Sequence, residues 1–304
     1  MTRLHISAQA AILITVGLPL IGCAGLSRRL KTDEVVYARQ IAQRGMDASD
    51  AGNWQRAEDL FAQAVKVCPS DERVQARYAE SLWRRAAQAE ALKHMQEAVR
   101  LSGGDPELMV RYGEMQLDVG DLQQAGELAD RVIAAGRQHA GAYRLRGAVL
   151  ERQGQWQEAL ADYHRALTIE PNYPDVQMSI ATVYLQQGRP QRALSTLQAL
   201  ATSYPSGEEP GDMLYFEGLA CEALGRHAQA ITNLQLAAER GYETPDLYFN
   251  LAQAHHALGD DGAAALALQR TLQADPEHAE AMRLAAVIRP PALSPPQDGA
   301  TVLR

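Results

Sequence analysis

The chain has 304 residues, 46 % hydrophobic and 22 % charged, with a formal net charge of −8, the make-up of a folded globular protein. Lysine occurs only at Lys31, Lys66 and Lys93, so no lysine stripe supplies the phosphate-binding footprint of a nucleic-acid protein. Aromatic residues are only 6 % of the chain while alanine recurs throughout, which favours closely approaching helices over a β-sandwich and predicts an all-α fold.

The opening, MTRLHISAQAAILITVGLPLIGCAG, carries one charge, Arg3, and then an apolar run of about 15 residues from Ala10, too short to span a bilayer comfortably and read as the core of a signal peptide, residues 1–22. Leu20, Ile21, Gly22 and Cys23 resemble the lipobox of bacterial lipoproteins. The resemblance implies that Cys23 is lipidated and becomes the new N-terminus; an incidental cysteine after a signal peptide and an uncleaved anchor are the alternatives. Several acyl chains on one residue hold a protein on a membrane, each buried CH₂ contributing about 0.8 kcal/mol. Ala24 and Gly25 lack the aspartate that this family links to inner-membrane retention, so the resemblance implies the outer membrane, facing the periplasm. Loss of residues 1–22 removes Arg3 and no acid, leaving 28 basic and 37 acidic residues, net −9. Residues 23–34, the modified cysteine and a short polar stretch, read as a tether.

Beyond the tether the chain repeats. Alanines fall 34 residues apart at Ala57, Ala91, Ala125, Ala159 and Ala193, and after one step of 37 the series resumes at Ala230 and Ala264. Five residues before these stand Gly52, Ala86, Gly120, Gly154, Gly188, Gly225 and Gly259, and twelve before them Gly45, Ala79, Gly113, Gly147, Ala181, Gly218 and Ala252. A fixed period of this length predicts a solenoid of helix-turn-helix units, here at about 38–71, 72–105, 106–139, 140–173, 174–207, 211–244 and 245–278. Within Gly154–Tyr173, Trp156, Ala159, Leu160, Tyr163, Ala166 and Leu167 recur at spacings of three and four, one apolar stripe of a helix. Gly154 suits the turn that ends the preceding helix, and Pro171 cannot continue this one. No unit can bury its stripe alone, so stacking on neighbours completes the core.

Ala159, Tyr163, Ala166 and Pro171, and likewise Ala57, Phe61, Ala64 and Pro69, resemble the second half of the tetratricopeptide repeat. Ala193 and Pro205 keep the pattern with Leu197 and Leu200 between them, and Ala264, Leu268, Thr271 and Pro276 repeat it. Two departures stand out. The family's first-helix tryptophan is replaced by Ile41, Gln75, Met109, Tyr143, Gln177, Leu214 and Tyr248, and Gly103 and Arg137 take the place of the proline. The resemblance implies a right-handed α-solenoid of about seven units. EHAEAMRLAAVI, continuing to residue 288 with Met282, Leu284, Ala285 and Ile288 on a helix, reads as a cap at 279–288. RPPALSPPQDGATVLR, residues 289–304, holds four prolines and reads as a disordered tail. SGEEPGD, where the step lengthens at 208–210, reads as a longer turn in a continuous stack or as a mild hinge.

Nothing in the chain spells an active site. His255 and His256 are adjacent, about 100° apart on a helix and not convergent on one ion. Cys68 and Cys221 are five repeats apart and are expected as free thiols. Phosphate loop, nucleophile elbow and zinc-protease helix motifs are all lacking. The expectation is a protein that is not an enzyme, with no catalytic residues, metal or cofactor.

In the tetratricopeptide family the first helix of each repeat lines a concave groove. Carried over by position, the resemblance implies groove residues Arg73, Arg77, Trp83, Arg84, Arg111, Arg144 and Arg152 in repeats two to four. In repeats six and seven it implies Tyr215, Phe216, Leu219, Phe249 and Asn250. Arginine forks and aromatic anchors would suit an extended peptide with acidic and apolar parts, although Glu80, Glu114, Asp118 and Glu151 lie close enough in sequence to neutralise some of them. The lysines of the family's terminal-carboxylate clamp are missing. Two readings follow: a membrane-anchored scaffold or adaptor that holds a protein or peptide in the envelope, for assembly, pilus or secretion, polysaccharide export or cell-wall machinery, or a self-associating spacer whose groove is idle. An enzyme is a distant third.

Overall fold

The computed structural model describes residues 22–136 and 138–288, with side chains from residue 33 onward. The expected signal peptide, the side chain of Cys23 and the proline-rich tail lie outside the described residues. Those described divide into two compact units, one up to residue 108 and one from residue 109, and form helices joined by tight turns, with no strand among them.

In the first unit α1 (Gly22–Asp50), α2 (Trp54–Val67), α3 (Glu72–Arg84) and α4 (Gln88–Leu101) pack each on the next. α1 takes in the stretch read as a tether, which is therefore helical from Gly22 onward. The turn from α1 to α2 passes through Gly52 at φ 76°, a left-handed conformation that glycine adopts without a Cβ penalty. Asn53 then accepts from the Arg56 amide to cap α2. Ala57, Phe61 and Ala64 form the buried face of α2, and Phe61 lies against Gly45 so tightly that a Cβ there would be 2.7 Å from the ring. The small column twelve residues back exists because the next helix inserts a ring at that point. Asp71, 2 % exposed, caps α3 by accepting from the amides of Arg73 and Val74, and also accepts from Arg39 Nε at 2.7 Å.

The second unit continues the pattern: α5 (Pro106–Asp118), in which the division falls, then α6 (Leu122–Ala134), α7 (Ala140–Arg152), α8 (Trp156–Ile169), α9 (Pro174–Gln186), α10 (Pro190–Ala201), α11 (Gly211–Ala223), α12 (His227–Glu239), α13 (Pro245–Ala257), α14 (Asp261–Ala274) and α15 (Ala279–Val287). Pro174, Pro190 and Pro245 occupy the first turn of their helices, where proline's missing N–H removes no hydrogen bond. Gly120, Gly154, Gly188, Gly225 and Gly259 all have positive φ between the two helices of a pair, and Ala86 does the same in the first unit at φ 63°. Across the longer turn, Leu197, Leu200 and Met213 share one buried cluster, so α10 and α11 stay packed. Ala281 and Ile288 hold α15 against the last pair.

The fold is an all-α helical-repeat solenoid, with seven helix-turn-helix pairs and a terminal helix among the described residues.

Candidate partner-binding face

On α3, Arg73, Arg77 and Arg84 are all exposed, and at 100° per residue they fall within about 40° of one another on one face. Arg73 comes no closer than 3.8 Å to Glu72, with its side chain 74 % exposed. Arg77 makes no hydrogen bond or ion pair among the described residues. The guanidinium carbon of Arg84 stands over the Trp54 ring, 3.8 Å from its centroid, and the indole remains 45 % exposed. Trp83 beside it is half-buried. The neighbouring arginines are engaged differently: Arg39 by Asp71 at 2.7 Å and Arg85 by Glu58 at 2.9 Å. Trp54 was not among the expected site residues, yet a signal existed: it shares a column with Trp156, three periods later.

The arginines of the second unit mostly have partners inside the fold. Arg111 pairs with Glu114 at 3.1 Å. Arg144 bonds the same Glu114 and donates to the Tyr173 hydroxyl at 2.9 Å. Burial works against the Arg144 charge, but Glu114 and Tyr173 outweigh it and hold its pKa above the ordinary value. Arg111 and Arg144, expected to offer forks to a partner, each grip a carboxylate of their own chain. Arg152 is exposed. Arg146, which no groove assignment included, bridges two acids, Asp162 at 2.6 and 2.8 Å and Asp130 at 2.9 Å. The Asp162 hydrogen bonds are the chief cause of its raised pKa.

The expected aromatic half is largely interior. Tyr215 and Phe249 are each 8 % exposed, while Phe216, Leu219 and Asn250 are half-buried. Tyr215 packs against Tyr242 and Phe216, with ring centroids 4.9 and 5.4 Å away. Its hydroxyl receives the Asn250 amide at 3.2 Å, and burial pushes its pKa up to about 12. Phe249 packs on His278, centroids 4.8 Å apart. These rings join one helix pair to the next and have little surface left for a ligand. What α9, α11 and α13 expose in their first turns instead is acidic, Asp175, Asp212 and Asp246, where the helix dipole favours negative charge.

Cys68 and Cys221 are buried free thiols, and burial raises the Cys221 pKa, which makes it a poor nucleophile. Among the described residues no three His, Cys, Asp or Glu side chains gather as a metal site, and no helix is long and apolar enough to cross a membrane.

Profiles of the tetratricopeptide repeat match residues 43–106, 113–175, 150–210 and 224–279. The chain is a tetratricopeptide repeat protein. It is 26 % identical over 210 residues to cellulose synthase operon protein C of Pseudomonas fluorescens (strain SBW25); the match takes in 66 % of this chain and 16 % of that protein, so the chain spans about a sixth of its length. Its fold is similar to that of a tetratricopeptide repeat protein from Parabacteroides merdae ATCC 43184, with a TM-score of 0.63, 14 % identity, and 83 % of this chain and 98 % of the other covered. YrrB, described as a TPR protein with an unusual peptide-binding site, is similar with a TM-score of 0.50 and 18 % identity over 63 % of this chain and 97 % of its own. At such identities these likenesses speak for the fold alone.

Proposed function

We propose that this tetratricopeptide repeat protein is a non-enzymatic scaffold of the bacterial cell envelope, held by lipid on Cys23 and binding a protein or extended peptide on the exposed faces of the first helices of its repeats. The observation that carries the reading is the α3 face, where three exposed arginines line up on a firmly packed hairpin: Arg77 makes no ion pair, Arg73 reaches Glu72 only at 3.8 Å, and Arg84 meets a ring and no carboxylate. A surface of that kind is a recognition surface, since a partner supplies the carboxylates the fold withholds. The likeness to a protein named for the cellulose synthase operon favours polysaccharide export among the envelope tasks, and the lipobox resemblance of Leu20–Cys23 favours the outer membrane facing the periplasm. Cross-linking in intact envelopes followed by purification of this protein tests the reading. A specific partner should co-purify with the wild-type chain and be lost from Arg77→Glu, which leaves the core untouched; recovery of no partner from cross-linked envelopes counts against an adaptor.

A self-associating spacer is the second reading, favoured by Leu266, Met282 and Val287, which are 67, 47 and 68 % exposed on α14 and α15. Sedimentation of the purified protein separates the two: a spacer sediments as an oligomer that Leu266→Glu dissociates.

A further inference from the structure

The geometry points to the α3 row as a receptor for one short acidic protein segment, with the Arg84 and Trp54 stack as its fixed anchor. This rests on the adaptor reading and adds the chemistry of the partner and the place where it docks.

Three features carry it. First, Arg84 is placed without losing its hydrogen-bonding capacity: its guanidinium carbon stands over the Trp54 ring, 3.8 Å from the centroid, and its N–H groups meet no acceptor among the described residues. A guanidinium held over an indole keeps its N–H donors for a carboxylate and has less side-chain freedom left to lose on binding. Second, Arg77 and Arg73 continue the same line. At 1.5 Å per residue the three forks span about 16 Å, with Arg73 and Arg77 about 6 Å apart, so an extended chain of about five residues covers the row. Third, the surroundings exclude a diffuse polyanion or an anionic lipid surface. Residues 33–108 contain thirteen acidic and ten basic side chains, and Glu80 interrupts the arginine line between Arg77 and Arg84. A field of this mixed sign repels a uniform negative surface and accepts a partner whose charges are spaced to match.

The test uses the full-length protein in its own envelope. A photo-cross-linking residue is placed at Ala76, beside the row, and in a second strain at Asp175 on α9, and the captured peptides are sequenced. The expected Ala76 adduct is a protein segment with at least three acidic residues. A synthetic copy of it should bind the purified protein about tenfold more weakly after Arg84→Gln or Arg77→Glu, and also after Trp54→Leu, which changes no charge. Its amide-substituted analogue should not bind. Far-ultraviolet circular dichroism confirms that the three variants remain folded. An Ala76 adduct with lipid, an adduct with a segment poor in acids, or an affinity unmoved by all three variants overturns the proposal. Adducts at Asp175 with none at Ala76 overturn it while leaving the adaptor reading intact; adducts at neither position overturn both.

Discussion

Tyr163 closes over Gly147 so tightly that a methyl group on the glycine would stand 2.6 Å from the ring's Cε1. The same ring is fully buried, and its hydroxyl donates to Glu151 at 2.7 Å. One glycine and one carboxylate of α7 therefore hold the aromatic of α8, and repeat four is locked at both ends of a single side chain.

Gly147→Ala must push this ring or separate the two helices. It should destabilise the protein by about 1–3 kcal/mol, seen in urea unfolding as a lower midpoint with an unchanged slope. An unchanged midpoint would mean that the close approach is not required.

Ala86 stands in the glycine column and is held at φ 63°. Left-handed backbone costs an alanine about 1–2 kcal/mol, and the extra freedom glycine brings to the unfolded chain returns about 0.4–1 kcal/mol of that. Ala86→Gly should therefore raise stability by up to about 1.6 kcal/mol, measurable as a higher melting temperature.

The side chain of Asp162 is 5 % exposed and bound by Arg146. Removing Arg146 alone leaves a buried charge uncompensated, at a cost of about 3–5 kcal/mol, whereas replacing both residues by apolar ones of similar volume is close to neutral. A double-mutant cycle with Arg146→Met and Asp162→Leu measures the coupling; additive losses would show that the pair does not act as a unit.

Burial raises the pKa of Glu151 above 4.5, against the opposing pull of the Tyr163 hydrogen bond and of Arg152. A carboxyl with a folded-state pKa above its unfolded value favours folding in full below the unfolded value, and that advantage disappears as pH rises through the folded value. Glu151→Gln, which stays neutral and can still accept from Tyr163, should gain on the wild type between pH 4 and pH 7. Denaturant unfolding at both ends of that interval checks the sign.

The lipid anchor proposed at Cys23 implies that Cys23→Ala moves the protein from the membrane fraction to the soluble fraction. Retention of the variant in the membrane would end the lipid-anchor reading.

Much of this molecule was legible before any coordinates. The small columns predicted where helices must touch, and Gly45 under Phe61 and Gly147 under Tyr163 are those contacts. The turn glycines predicted the breaks, and their positive φ values are the reason for them. Such features repeat because every pair of helices meets the same local constraint at the same register, and a constraint that recurs leaves a period in the chain.

Side-chain pairing leaves no such trace. Arg144 and Arg84 looked alike in sequence, each on a first helix and each predicted to face a partner. Only the packing of helices brings Glu114 onto Arg144 from thirty residues away, and only the packing of α2 against α3 brings Trp54 under Arg84. Tyr215 and Phe249 turn inward for the same reason, each taken up by a ring from the turn before a later helix, Tyr242 and His278. The sequence determined the repeat and its small-to-large contacts, because those follow from spacing along one chain. Which charges are neutralised and which remain open to a partner was decided by the tertiary structure, because neutralisation depends on distances between helices that the period does not encode.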